Sequence, residues 1–397
     1  MFAIKGGTIY TATNGIIKDG VILVKDNKIQ DVGERISIPE GYRIINAEGN
    51  SVIPGLIDAH THIGVLPEGL LSLEQDNNEM TDPITPHMRV IDSIDPFDPI
   101  FEEVMQAGIT TVMIAPGSAN AIGGQCSVVK TFGKTVEEML MVEDAGMKFA
   151  LGENPKRVYG SQKKMPMTRM GVAAMIRETL HKANNYEIRK EESRSREEKC
   201  FKETDFKLEA LHNVLHGKVK ARIHCHKAND IMTAIRIAEE FDLDITLEHC
   251  TEGYKIVSEI AKRRIPVVLS PLMNPRSKPE TRYRSLEIAG IMANNGVLTV
   301  ISTDGISLAT RWLALNAGVC VSYGMKEEDA LKAVTINAAT VLGIADRVGS
   351  IEKGKEADIV IMKGHPLEAR TKVGSVIAGG KIKYHKAENM PGQEEQE

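Results

Sequence analysis

SVIPGLIDAHTHIGV, residues 51–65, ends an apolar run in two histidines one residue apart. On a strand, side chains alternate between faces, so Leu56, Asp58, His60 and His62 share one face and Ile57, Ala59, Thr61 and Ile63 the other. A polar face at the end of an apolar strand needs an enclosed polar space in front of it, and the mouth of a parallel barrel is such a space. His60 and His62 would place two imidazoles on the same side there, close enough to bind one divalent ion. Taken alone the pair fits a structural role equally well, so its meaning depends on the rest of the chain.

Seven further apolar runs follow: GITTVMIAP, SVVKTF, MKFALGE, KARIHCH, DITLEHC, PVVLSP and VLTVIST. Helix-patterned segments such as NDIMTAIRIAEEF and GYKIVSEIAKRR come after several of them. Eight βα repeats over a span near the roughly 250 residues usual for the fold predict an α/β protein with a TIM-type (β/α)8 barrel over residues 54–345. A doubly wound open sheet would carry a glycine-rich phosphate loop after its first strand, and GLIDAHTHIG is not one. Residues 1–53 read differently, as short β-type runs punctuated by the turn signals KGG, KDG, KDN and EGN. That texture returns in ADIVIMK and VGSVIAGGKIKYH, so residues 346–385 are expected to join 1–53 in a small β-sandwich. The tail over 386–397, KAENMPGQEEQE, is too polar to pack.

The 397 residues are 42% hydrophobic, enough for a sizeable core, and carry a formal charge of -5. Lys and Arg are not in excess, so nucleic acid and anionic membranes have no electrostatic support as partners and a small-molecule substrate is expected. The amino terminus shows no basic region leading into an apolar core, and no apolar run approaches the roughly 20 residues a bilayer needs, which predicts a cytoplasmic protein. Cys126, Cys200, Cys225, Cys250 and Cys320 are scattered and form no C-x-x-C pair, so they read as free, mostly buried thiols. A homo-oligomer is expected.

In a parallel barrel the carboxyl ends of the strands carry the chemistry. Strand one ends in His60 and His62, strand four in Glu153, strand five in His224 and His226, strand six in His249 and strand eight in Asp304. Each has an ordinary explanation by itself: Glu153 as a helix-capping carboxylate, the histidines as packed or solvated rings, Asp304 as a turn residue before Gly305. Five strand ends bearing metal-capable side chains, in a chain with only eleven histidines, are not explained by five separate accidents.

With these residues in view the chain resembles the amidohydrolase superfamily over nearly its whole length. VIPGLIDAHTH is similar to that family's strand-one signature. Single histidines after strands five and six, an aspartate after strand eight, and the closing AVTINAATVLGIADRVGSIEKGKEADIVIM resemble it too. The resemblance implies that His60, His62 and Asp304 hold one metal ion, that His224 and His249 hold a second, and that a strand-four carboxylate bridges them. Many relatives bridge with a carboxylated lysine; here Glu153 at the strand end is the expected bridge, with Lys156 in the following loop as the alternative. His224 and His226 share a face, and the family pattern favours His224 as the ligand, leaving His226 nearer the substrate.

The resemblance further implies two divalent ions, zinc by preference, that lower the pKa of a shared water and polarise a scissile carbonyl, with Asp304 as general base and then acid. A hydrolase of amide or cyclic-amide C-N bonds is expected. A deaminase fits less well: the glutamate its relatives place three residues past the strand-five histidine is Lys227 or Asn229 here. Enzymes resembling imidazolonepropionase, with a single metal, or metallo-dipeptidases are closer, and their substrates bear a carboxylate. NPRSKPETRYR after strand seven supplies cations for it, with Arg276 and Lys278 as the expected clamp. The competing class is a non-catalytic scaffold of amidohydrolase shape. The alternating charges of YEIRKEESRSREEKCFKE read as a solvated helix without chemistry.

Overall fold

The computed structural model of the protein describes residues 1–67, 74–195, 204–305 and 308–386. Sixteen strands appear in them: β1 (Phe2–Tyr10), β2 (Ile16–Lys25), β3 (Lys28–Gly33), β4 (Arg43–Asn46), β5 (Ser51–Pro54), β6 (Leu56–Thr61), β7 (Ile109–Ile114), β8 (Ile122–Lys130), β9 (Leu140–Ala150), β10 (Ala221–Cys225), β11 (Ile245–His249), β12 (Val267–Leu269), β13 (Thr299–Ile301), β14 (Ile359–Lys363), β15 (Lys372–Ala378) and β16 (Lys381–His385). They form two eight-stranded sheets.

The first sheet runs β16-β15-β14-β5-β1-β2-β3, with β4 beside β1. Its centre joins the two ends of the chain, since β14 pairs antiparallel with β5, Ile359 opposite Pro54 and Met362 opposite Ser51. Ile4, Ile22, Val52, Ile359 and Ile377 bury one another there, the expected consequence of alternating apolar positions on strands with one dry face.

The second sheet runs β6 to β13 in chain order and is nearly closed. A parallel bridge from Thr61 to Gly305 and the His62 N-H donating to the Gly305 carbonyl at 2.8 Å tie the ends of its first and last strands together. The uniformly parallel wall expected from eight βα repeats is corrected at the third strand. β8 is antiparallel to both β7 and β9. The cause is connection length: residues 115–121 between β7 and β8 are too few for a crossover, which takes a dozen or more, so the chain doubles back as a hairpin-like excursion. The helices Ala228–Phe241 and Val257–Lys262 follow β10 and β11 as their periodicity predicts.

No helix among the described residues is long and apolar enough to cross a membrane. Cys126, Cys225, Cys250 and Cys320 are free and buried, while Cys200 and most of the polar tail lie outside the described residues. The alternating-charge segment is helical through Ser195, as the end of the helix Arg169–Ser195, and its remainder is also outside them.

Candidate active site

Three strand ends anchor their imidazoles through Nδ1. His60 Nδ1 donates to Glu248 Oε2 at 2.7 Å, His62 Nδ1 to the Ala115 carbonyl at 2.7 Å, and His249 Nδ1 to the Ser270 carbonyl at 2.7 Å. Each of these bonds fixes a tautomer whose Nε2 lone pair faces the barrel mouth. Asp304 Oδ1 lies there, 3.7 Å from His60 Nε2 and 3.5 Å from His62 Nε2. Those separations are too long for hydrogen bonds and close to the roughly 3.4 Å edge of a tetrahedron with metal-ligand bonds of about 2.1 Å. His60, His249 and Asp304 form one group able to hold a metal ion, and His224, His226 and His249 form another. His224 Nδ1 is buried with no hydrogen-bond partner, a costly state for a polar atom unless a further ligand takes it up. The donor set and this orphaned nitrogen fit divalent metal.

Burial keeps the rings neutral, as metal ligands must be. It lowers His60, with the neighbouring Lys148 charge acting in the same sense, and lowers His249 to about 3. His224 and His226 are pushed well below the ordinary range by burial, and the adjacent rings and Lys278 each oppose a further positive charge there. Asp304 goes the other way from its burial: the surrounding imidazoles outweigh desolvation and hold its carboxyl well below the usual range, ionised.

Two strand ends depart from strict alternation. Glu248 faces inward, so His249 would face outward on an unbroken strand, but His249 and Cys250 have φ of 69° and 47°. This left-handed turn brings the His249 ring into the mouth beside Glu248. Asp304 also sits at φ 53°. Such backbone costs of order 1–3 kcal/mol per residue and persists where the surroundings hold it, characteristically at sites. Asp58 does part of that holding. Fully buried, it accepts from Thr303 Oγ1 at 2.5 Å and from Ser302 Oγ, so the strand-one carboxylate fastens the loop that carries Asp304. Gly305 is held in the same place by shape, since a Cβ there would lie 1.7 Å from Thr310 Oγ1. Gly305→Ala is expected to displace Asp304 and lower kcat by about 10²-fold, the scale of an ångström-level misplacement. Steady-state kinetics beside a thermal melt test it: near wild-type turnover would show that the loop tolerates the shift.

The bridge expected at Glu153 is corrected. β9 ends at Ala150, and Gly152 at φ 89° turns the chain, so Glu153 opens the helix Glu153–Ser161 and belongs to neither metal-capable group. Its backbone N-H donates to Glu280 Oε2 at 2.9 Å. Lys156 is likewise carried into that helix. Lys148 instead reaches the histidines at the barrel mouth. It is buried in β9 with Nζ donating to His60 Nε2 at 2.9 Å, and it makes no ion pair within 4 Å among the described residues. Burial and the Arg222 charge lower its ammonium pKa, offset in part by Glu248 and Asp304. A lone Lys between Met147 and Phe149 in a buried strand was the signal for it.

Two further participants were missed. Glu248 links His60 to Arg222, whose Nη1 donates to Glu248 Oε1 at 3.2 Å. Burial raises that carboxyl, but the His60 hydrogen bond, the Arg222 charge and the Thr246 hydroxyl outweigh it and hold it well below its ordinary value. Glu280, buried in the loop after β12, places Oε1 3.7 Å from His224 Nε2 and 3.6 Å from His226 Nε2.

A cavity of about 290 Å³ opens above these groups, lined by His62, His224, His226, His249 and Asp304 and by Asn78, Ser118, Asn154, Asn274, Lys278 and Arg284. Lys278 is at the site, with Nζ 2.6 Å from Glu280 Oε1 and 3.3 Å from Asn154 Oδ1. Arg276 is not. Its guanidinium donates outward to the Arg284 carbonyl at 3.1 Å and lines a neighbouring cleft, because the loop turns back on itself through Arg284 bonds to the Asn274 and Pro275 carbonyls. Of the two arginines, it is Arg284 that lines the cavity. Arg89 of the long loop after strand one pairs with Asp92 and Glu143 away from the cavity.

The sequence matches the model described as the amidohydrolase family over residues 51–383. A curated amidohydrolase of Hapsidospora irregularis is 31% identical over 374 residues, covering 89% of this chain and 38% of its own length. The chain thus spans well under half of that relative. An imidazolonepropionase of Flavobacterium johnsoniae is 24% identical over 379 residues, covering 87% of this chain and 86% of its own. The solved structure of an amidohydrolase from Thermotoga maritima MSB8 superposes with a TM-score of 0.94 at 43% identity, over 97% of this chain and 100% of that one. With a nearly closed barrel, histidines and an aspartate gathered at its mouth, and this match over most of its length, the chain belongs to the amidohydrolase family, metal-dependent hydrolases of C-N bonds.

Proposed function

We propose that the enzyme hydrolyses an amide or cyclic-amide C-N bond in a small, carboxylate-bearing substrate, using two divalent ions, zinc by preference. The observation that carries this reading is the convergence of His60, His62, His249 and Asp304 on one space, with the orphaned His224 Nδ1 beside it. His60, His62 and Asp304 would hold one ion and His224 and His249 the other. Bound there, such ions supply Lewis acidity, making a water more acidic and a carbonyl more electrophilic. Lys148 is the bridging group of this reading, in its carboxylated form: the neutral Nζ amine bonds to the carbon of CO2 and releases a proton, leaving a carbamate between the two clusters.

The remaining steps belong to the protein's own side chains. Asp304, ionised, accepts the proton of the attacking water and returns it to the leaving nitrogen. His226 and Asn154 line the cavity on the substrate side, and Lys278 and Arg284 offer cations to its carboxylate. The similarity to an imidazolonepropionase supports a second reading, cyclic-amide opening with a single ion. A division into residues 1–53 and 346–385, forming the sandwich, and 54–345, the barrel, belongs to the same proposal and is supported by the pairing of β5 with β14.

Metal analysis of the purified protein, followed by a screen of N-acyl amino acids, dipeptides and cyclic amides, tests the proposal. Two bound equivalents, loss of activity on chelation and its return with added zinc are expected. One equivalent with turnover of cyclic amides alone selects the second reading, and activity that survives complete metal removal overturns both.

A further inference from the structure

We propose that Glu187, His212 and His216 form a second metal site on the outer surface, for a divalent transition ion, at the opposite end of β10 from the one that carries His224. His212 and His216 are four residues apart around the short helix His212–Leu215, so their rings stand side by side, with centroids 4.4 Å apart. Glu187 reaches them from the helix Arg169–Ser195. Its Oε1 lies 2.8 Å from His212 Nδ1 and its Oε2 2.9 Å from His216 Nε2. One ligand atom from each of the three fits within 4.8 Å of the others.

Two imidazole nitrogens and one carboxylate oxygen are the donor set that zinc and its neighbours prefer, and the commonest hard cations do not. The present spacings are those of hydrogen bonds. A withdrawal of the carboxylate by about half an ångström reaches the roughly 3.4 Å ligand edge of a tetrahedral site. Metal binding would move the His212 ring proton from Nδ1 to Nε2. Lys218 Nζ, now 3.4 Å from that Nε2, lies on an exposed stem that swings aside. The histidine side chains are 43% and 47% exposed and Glu187 is 18% exposed, so an ion has a way in and water completes its shell. Bound there, it would fasten the long helix Arg169–Ser195 to the segment entering β10.

The test uses the holoenzyme with its resident metal in place, titrated with zinc by calorimetry above the imidazole titration range. The wild type is expected to bind one equivalent beyond the resident metal. His216→Ala should weaken that step by about tenfold or more, as loss of ligation does, with turnover unchanged. His216→Gln retains a hydrogen bond to Glu187 but no ring nitrogen, and should be as weak. Copper(II) in the same site should show coupling to two nitrogens, reduced to one in His216→Ala. No additional zinc up to millimolar concentration, or binding as tight as wild type in either variant, overturns the proposal and leaves a carboxylate paired with two imidazoles.

Discussion

Asp304→Asn is expected to lower kcat by roughly 10²- to 10⁴-fold, the range a positioned acid-base group contributes, while KM changes little. The amide keeps an oxygen where the carboxylate oxygen stands, 3.5 Å from His62 Nε2 and 3.7 Å from His60 Nε2, so most of the metal should be retained. What it loses is the capacity to take a proton. In the native protein that capacity is secured by the surrounding imidazoles, which keep the carboxyl ionised despite its burial. Metal content and kinetics measured on one preparation separate the two effects. A variant with near wild-type turnover would remove Asp304 from the acid-base role, and one that fails only through lost metal would reduce it to a ligand.

Lys148→Ala is expected to have an effect of similar size by another route. Removing the side chain takes away the group between the two clusters, and metal affinity should fall by more than the roughly 10- to 100-fold that even indirect partners of ligands contribute. Activity should return in part with added short carboxylates, which would occupy the space of the proposed carbamate. Bicarbonate added to wild-type protein purified without CO2 should raise its activity but leave the variant unchanged. The fold should survive, because Glu248 keeps its bonds to His60, Arg222 and Thr246. If Lys148→Ala binds metal and turns over like wild type, no carbamate is at work and the bridge must be sought in Glu280, the buried carboxylate nearest to His224 and His226.

Alternation within a strand placed His60, His62 and Asp58 on one face, because a strand has one local rule and the polar face has one place to go. In MKFALGE the same rule sets Lys148 and Glu153 on opposite faces, and Gly152 turns the chain before Glu153, so the residue that faces inward is Lys148 and not the strand-end carboxylate. Alternation fails at His249, where a left-handed backbone turns the ring inward, and no residue type there announces that conformation. Arg276 and Arg284 could not be told apart, since which arginine of a loop faces a cavity depends on how the loop folds back.

By itself, then, the sequence determined the order of the strands and the metal-capable side chains at most of their ends, since these follow from hydrophobic period and local pattern along the chain. The buried Arg222-Glu248-His60 chain, the meeting of Glu280 with His224 and His226, and the pairing of Glu187 with His212 and His216 were decided by tertiary structure alone. Each depends on groups far apart in sequence coming within a few ångströms, and that proximity is set by packing of the whole chain rather than by any local preference.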